Sequence, residues 1–457
     1  MLDFRGLVAV GIFVAWSLIL NQTHGHGTFW VPEVLALFAL SFFVLPWGFR
    51  GPCFWFSSFA DPMRRGVGIA AFAGFLLISF SSLRLVYALP SPEVEQALSR
   101  ALLLALLMGA TWMGRASVEN LRYLTFTGAM GALFYAAWQV PALSPSPYID
   151  VFSSNTAAAE HLLAGRNPYS QVYKDIYRGF YDYGAGFLYF PGLLWVIAPV
   201  KALFGDIRYA GILGHFMGAA ALVAVSKRRL KRPEAGWMAA LLWAALPVQY
   251  FVFEQAWTDS ILVGAIGVVL WVWAVRPNLR PGVLEGVLAF VFALKQHAFL
   301  PAIYVLQDLG SRDGVRKWGL RVALTGGISI LFLLPFLLWD WDGFYRMTIA
   351  SQLGASPRLD SLNWTSWLLA NRAGSWGAIP QAAMSVLGIF LGAWVLFMGR
   401  AGRVRDPGRM AAALWLGYGF SFLFGKWAFC NYHYLLLYFL VWMIPNWEEN
   451  DTIGISR

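Results

Sequence analysis

Apolar runs of bilayer-spanning length recur along this chain, separated by short loops that carry most of its arginine and lysine. They lie at roughly 6–20, 31–48, 67–89, 97–113 and 121–141, and again near 208–226, 236–253, 259–275, 319–338, 378–398, 410–425 and 433–446. A helix of about 20 apolar residues crosses the hydrocarbon core of a bilayer, and a spanning segment must satisfy its own backbone groups. The longer stretch 282–308 is interrupted by Lys295-Gln296-His297 and Pro301, which predicts a pair of short helices. Hydropathy therefore predicts an all-α, polytopic membrane bundle of about 13–15 transmembrane helices. Composition argues against a soluble fold: 59% of the 457 residues are hydrophobic and 13% charged, where a soluble domain carries roughly 25% charged residues.

The net charge of +10 raises the question of nucleic acid. The basic residues fall in short loops, where they set topology, so no nucleic-acid partner is expected. Arg50 with Arg64-Arg65, Arg115 with Arg122, Lys227-Arg228-Arg229 with Lys231-Arg232, and Arg276 with Arg280 read as cytoplasmic. So do Arg312 with Arg316-Lys317, and Arg400 with Arg403, Arg405 and Arg409. These assignments agree if Tyr189–Phe204 is not a full span and 282–308 crosses twice. Segments 142–207 and 339–377 then face outside, and both termini are cytoplasmic. Arg5 precedes the apolar run without a small-x-small cleavage site after it, which predicts a retained first helix. Cys53 and Cys430 fall on opposite sides, so no disulfide is expected.

Five segments follow: N-terminal transmembrane helices over 1–141, an outer loop with short juxtamembrane helices over 142–207, central helices over 208–338, a second outer loop over 339–377, and C-terminal helices with a cytoplasmic tail over 378–457. In this arrangement Glu254, Asp259, Lys295, Gln296, His297, Lys426, Asn431 and His433 collect at the outer ends of helices. Ionisable groups at membrane depth are costly and usually line a cavity or meet a ligand. Taken singly, each also suits snorkelling or pairing, and Lys295 suits neutralisation of either Glu254 or Asp259.

In the first outer loop, Pro145 and Pro147 stop the preceding helix and hold Tyr148 extended. Helix formers resume from Asp150 to Ala164, with Gly165 as a C-terminal stop. Asp150, Ser154 and His161 share one face of that helix, and Asp150 on local grounds suits a helix cap. Asn167-Pro168-Tyr169 reads as a structural turn. Arg166 and Lys174 suit the loop's solvated face, and Tyr148, Tyr169, Tyr173, Tyr177, Tyr181 and Tyr183 suit an aromatic belt or sugar stacking.

The order Asp150, Ala164-Gly165-Arg166-Asn167-Pro168-Tyr169, Tyr189-Phe190-Pro191 resembles the first luminal loop of the GT-C superfamily of polytopic glycosyltransferases. It is similar to glycosyltransferase family 87 and to the GPI mannosyltransferase I catalytic subunit. Gly286 with Lys295-Gln296-His297 and Pro301 resembles a Gly…Lys-x-x-x-Pro helix pair of the bacterial branch. Phe424-Gly425-Lys426 through Asn431-Tyr432-His433-Tyr434 resembles its late Lys…Asn-Tyr-Tyr signature. The resemblance covers about 144–440. The five helices of 1–141 lie outside it, and Asp150 stands alone where the GPI branch carries an acidic pair.

The resemblance implies transfer of a sugar, mannose favoured, from a polyprenyl-phosphate donor to a lipid or glycan acceptor, on the outer face of a bacterial inner membrane. It implies Asp150 as general base. Lys295, His297 and Lys426 are then the expected phosphate ligands, with Arg166 and His433 behind them, and Gln296, Asn431, Glu254 and Asp259 complete the expected substrate site. No cofactor is expected, and no metal, because no His/Cys/Glu cluster has ligand spacing. Trp339-Asp340-Trp341-Asp342 suits a sugar or a cation only weakly. A partner subunit for the first five helices is unidentified. The rival readings are a transporter or flippase of a lipid-linked or anionic substrate, which also uses broken helices, and an envelope enzyme of the O-antigen ligase or polymerase kind.

Overall fold

A computed structural model describes residues 4–42, 61–81, 85–89, 91–113, 119–181, 185–230, 233–275, 282–371, 381–398, 405–445 and 447. Among them the chain is helical, without a named strand. Arg50, Cys53, Arg115, Tyr183, Lys231, Arg232, Arg276, Arg280, Arg400 and Arg403 lie outside the described residues, and of Arg64 and Arg65 only the backbone is described.

The N-terminal part contains α1 (Phe4–Thr23), α2 (Val31–Ser41), α3 (Asp61–Ser81), α4 (Pro92–Met113), α5 (Glu119–Trp138) and the short α6 (Val140–Leu143). The helix of the third apolar run is described to Ser81, and within the expected run to 89 residues 86 and 87 are not helical and give their amides to a side chain across the fold. The first outer loop holds α7 (Asp150–Leu163) and, after a coil with one turn at Pro168–Ser170, α8 (Leu194–Phe204). Eleven residues make α8 shorter than a spanning helix, and the helices Val283–Leu294 and Leu300–Gly310, with 12 and 11 residues, fall short as well, so helix length does not separate the two conditions set on Tyr189–Phe204 and 282–308.

Then come α9 (Arg208–Arg229), α10 (Glu234–Ala244), α11 (Gln249–Glu254) and α12 (Asp259–Val275). The expected single run 236–253 is two helices. Pro247 has no N–H to donate and disfavours helical geometry at Leu246, so the chain turns between α10 and α11. Next, α13 (Val283–Leu294) and α14 (Leu300–Gly310) form the expected broken pair. Lys295 ends the first in an extended conformation, and Pro301 occupies the first turn of the second, where its missing donor costs nothing. Beyond α15 (Val315–Trp339) lie three short helices, α16 (Trp341–Tyr345), α17 (Ser351–Gly354) and α18 (Trp364–Ala370). The chain closes with α19 (Gln381–Met398), α20 (Pro407–Leu423) and α21 (Cys430–Met443). Asp406 caps α20 through its carboxylate, which accepts from the amides of Gly408 and Arg409 at 2.8 and 3.3 Å.

Among the described residues, four helical stretches are long and apolar enough to cross a membrane: Gly6–Thr23, Pro92–Trp112, Arg208–Arg229 and Val315–Trp339. Six shorter apolar helices accompany them, α12, α13 and α19 included. At the centre, α21 is enclosed on all sides, with Tyr434 through Val441 fully buried. Against it and against each other pack α9 and α12. Gly214 and Gly264 bring those two backbones together: a Cβ at Gly264 would lie 2.6 Å from the Gly214 carbonyl oxygen. Small residues at this crossing let the helices approach, and the approach fixes Asp259, the first residue of α12.

Candidate functional site

Pro145 and Pro147 precede α7, Ile149 is extended, and the helix begins at Asp150. The capping position is Ile149, which has no side-chain cap bond, and Asp150 stands in the first turn. There its Oδ1 accepts from the Val151 amide at 2.8 Å, and its carbonyl accepts from the hydroxyls of Ser153 and Ser154. A carboxylate in a first helical turn is stabilised by the unpaired amides of the helix end. The other end closes as expected: Gly165 adopts φ +70°, its amide reaches Leu162 O, and the Arg166 amide reaches His161 O. This left-handed stop turns the chain into Asn167-Pro168-Tyr169. The Asn167 side chain accepts from the Tyr169 amide at 3.0 Å. The buried Tyr169 ring packs on Phe187, Phe336 and Phe344, and its hydroxyl donates to Tyr189 O at 2.7 Å. That turn is scaffold, as the sequence predicts, and it seats Tyr189.

Asp150 opens onto a cleft of about 490 Å³, counted to its open mouth. Ser154, Lys174, Ile176, Tyr177, Tyr181 and Tyr189 line it with Asp150. Burial, then the neighbouring Asp150 carboxylate, pushes the Tyr177 hydroxyl above its ordinary range, so it stays protonated and able to donate. His161, three turns along α7, does not line the cleft. Its Nδ1 lies 3.1 Å from Arg166 Nε, and partial burial followed by the Arg166 charge lowers its affinity for a proton. The shared helix face therefore holds for Asp150 and Ser154 and does not extend the site to His161.

Behind the cleft lies a buried polar cluster. Lys295 Nζ donates to both carboxylate oxygens of Asp259, at 3.0 and 2.9 Å. Asn431 Nδ2 donates to Asp259 Oδ2 at 2.6 Å, and His297 Nε2 lies 3.8 Å from Oδ1. Asp259 is fully buried and the Lys295 side chain nearly so. The rings of Tyr189 and Tyr432 face the ammonium at 5.6 and 5.2 Å. Tyr189 belongs to both regions, since it lines the cleft and its ring faces the Lys295 ammonium. The helix break makes this possible: only a chain interrupted at Lys295 turns Lys295 inward while leaving His297 over Tyr418, Phe422 and Tyr432. Close approach at Gly192 locks it, with the Gly192 amide donating to Ala293 O at 2.8 Å where a Cβ would collide.

The remaining expected ligands are engaged elsewhere. Glu254 is buried, and its two oxygens accept the amides of Val86 and Tyr87 at 2.7 and 2.8 Å. It anchors residues 86–87 and stands apart from Lys295. Gln296 donates to Leu188 O and Thr348 O at 2.6 and 3.0 Å, joining the two outer loops. Lys426 donates to the carbonyls of Leu353 and Ala355 at 2.9 and 2.8 Å. His433 is buried with Nε2 near Leu362 O and Ala428 O at 3.0 and 3.2 Å, which makes it a brace between α21 and the second loop. Arg166 pairs with His161 as above. Asp340 of the Trp-Asp-Trp-Asp run caps α16 at the Gly343 amide and accepts from Ser170. Those hydrogen bonds hold its carboxyl below the ordinary range, and they give the motif a structural task.

Three residues of this region were not singled out for chemistry. Tyr189 and Tyr432 are legible in the sequence only as motif members. Arg358 bonds Asp360 at 2.9 and 2.7 Å, stacks at 3.8 Å on Tyr181 of the cleft wall, and carries no motif around it. Among the described residues, no group of three His, Cys, Asp or Glu side chains converges as a metal-ligand set. No family model, no curated protein and no solved structure matches the chain.

Proposed function

We propose that this chain is a membrane glycosyltransferase that moves a sugar, mannose favoured, from a polyprenyl-phosphate donor to a lipid or glycan acceptor, with Asp150 as general base. The observation that carries the proposal is the placement of Asp150 in an open, tyrosine-lined cleft one of whose walls, Tyr189, also faces the Lys295 ammonium of a buried polar cluster at 5.6 Å. In this reading the chain is a full polytopic bundle in a bacterial inner membrane, and the cleft opens on its outer face. The acceptor hydroxyl attacks the anomeric carbon and a new C–O bond forms. The bond from that carbon to the phosphate oxygen breaks, its electron pair leaves with the polyprenyl phosphate, and the hydroxyl proton passes to an Asp150 oxygen. Lys295, committed to Asp259, then positions the inner wall rather than binding the leaving group.

Membranes carrying the protein and given radiolabelled polyprenyl-phosphate-mannose test the reading. Label is expected in a lipid or glycan product, with Asp150→Asn lowering the rate by about 100-fold or more. An asparagine oxygen still accepts from the Val151 amide, so the fold is expected to persist. Full activity in that variant would remove Asp150 from the mechanism. One observation favours a second reading, transport of an anionic or lipid-linked substrate: the helix break at Lys295 with a buried charge pair is also the kind of device that transporters use. Uptake of solute without covalent product would select it.

A further inference from the structure

The Asp150 cleft contains a basic side chain that the motifs do not mark. Lys174 lines it together with Asp150, Ser154 and the rings of Tyr177, Tyr181 and Tyr189. The cations expected to bind phosphate have other partners: Lys295 holds Asp259, Lys426 holds two backbone carbonyls, and Arg166 meets His161. The Arg358 guanidinium, on the far side of Tyr181, is bound to Asp360. Lys174 is exposed and forms no ion pair among the described residues. Its neighbour Asp175 does not hold it, because that carboxylate accepts the amides of Tyr177 and Gly179 at 2.9 and 2.5 Å within its own turn.

We propose that Lys174 binds the phosphate of a lipid-linked phosphosugar in this cleft, with the sugar against the tyrosine rings and Asp150 at the reacting hydroxyl. This rests on the transferase reading above and replaces the cations first expected to bind the phosphate. A lysine ammonium is a compact point charge on a flexible stem, suited to an oxyanion whose charge grows as it leaves. The tyrosine hydroxyls and faces suit a polyol.

The test is binding, independent of turnover. Purified protein in zwitterionic nanodiscs is titrated with farnesyl phosphate, farnesol and inorganic phosphate. Farnesyl phosphate is expected to bind best, and Lys174→Met to weaken it by about tenfold or more, the scale of one charge-assisted contact. Lys174→Arg is expected to retain most of the affinity, and Lys426→Met to leave it unchanged. Unaltered thermal unfolding of Lys174→Met excludes misfolding as the cause, since the side chain is exposed. Wild-type affinity in Lys174→Met would overturn the role of Lys174 and leave the donor reading standing. Equal binding of inorganic phosphate would overturn the lipid source, and failure of the wild type to bind farnesyl phosphate would remove the donor reading itself.

Discussion

At the scale of single residues, the Asp259–Lys295 pair is the most consequential feature. Both groups are buried, and the carboxylate has a second donor in Asn431. Removing one member of such a pair strands a charge away from water, which costs about 3–5 kcal/mol, whereas removing both is often nearly neutral. Lys295→Met is therefore expected to lower the thermal unfolding midpoint sharply, and Asp259→Asn combined with Lys295→Met to recover most of the loss. Recovery in the double variant, read by thermal unfolding in detergent, identifies the pair as a coupled unit; losses that add in the double variant would show that the two act separately. The sequence left Lys295 with two candidate partners, Glu254 and Asp259. What decides between them is local backbone geometry. Ala256 takes φ +55° between α11 and α12, a left-handed turn that a non-glycine residue adopts only when its surroundings impose it. It turns Glu254 toward the Val86 and Tyr87 amides and leaves Asp259 facing the break. Such a turn has no signature in a run of Glu-Gln-Ala-Trp-Thr-Asp.

At the scale of elements, the sequence was readable wherever a break had a chemical cause. Pro145, Pro147, Gly165 and the Lys-Gln-His run before Pro301 each ended or interrupted a helix where expected. Pro247 did so too, although hydropathy alone ran straight through it. Less visible was the crossing of α9 with α12, because Gly211, Gly214 and Gly218 on one helix and Gly264 and Gly267 on the other look like ordinary membrane-helix glycines until the two helices are set together. The structure makes their spacing meaningful. A built Cβ at Gly214 lies 2.4 Å from Ser260 O, and one at Gly264 lies 2.6 Å from Gly214 O, both backbone atoms that cannot swing aside. Gly264→Val is expected to force the helices apart and cost at least about 2 kcal/mol. A matched substitution at Gly286, where a Cβ meets nothing within 4 Å, is expected to be tolerated much better. Comparison of folded yield and thermal midpoint for the two variants measures the crossing, and similar losses at both sites would mean that helix propensity, not close approach, dominates.

At the scale of the whole molecule, composition and the spacing of basic loops predict sidedness, while contacts decide what the outer surface is made of. The segments 142–207 and 339–377 are joined by Gln296, which bonds Leu188 O and Thr348 O. The turn after α1 is joined to the second loop by the Gly27 amide on Asp360 O and by His26 beside the Asp360 carboxylate. Segments more than 300 residues apart in sequence thus meet on one face, and hydropathy contains no information about such pairings. The helix α15 connects this face to the other: its 25 residues give about 37 Å of length, enough for a core of about 30 Å. It begins beside Arg316 and Lys317, which the basic-loop pattern predicts to be cytoplasmic, and ends at the exposed Trp339, with Trp341 at the start of α16, where interfacial aromatics belong. Val172 and Val315 are 97% and 84% exposed, so a cysteine at either is reachable by reagent. In intact cells, with native cysteines replaced by serine, a membrane-impermeant maleimide is expected to label Val172→Cys and spare Val315→Cys. After permeabilisation both are expected to react. Labelling of Val315→Cys in sealed cells would invert the orientation of α15. Labelling of both sites before permeabilisation would instead mean that the chain between them crosses the membrane an even number of times, and failure of Val172→Cys to react in sealed cells would remove the outer-face cleft that a lipid-linked donor requires.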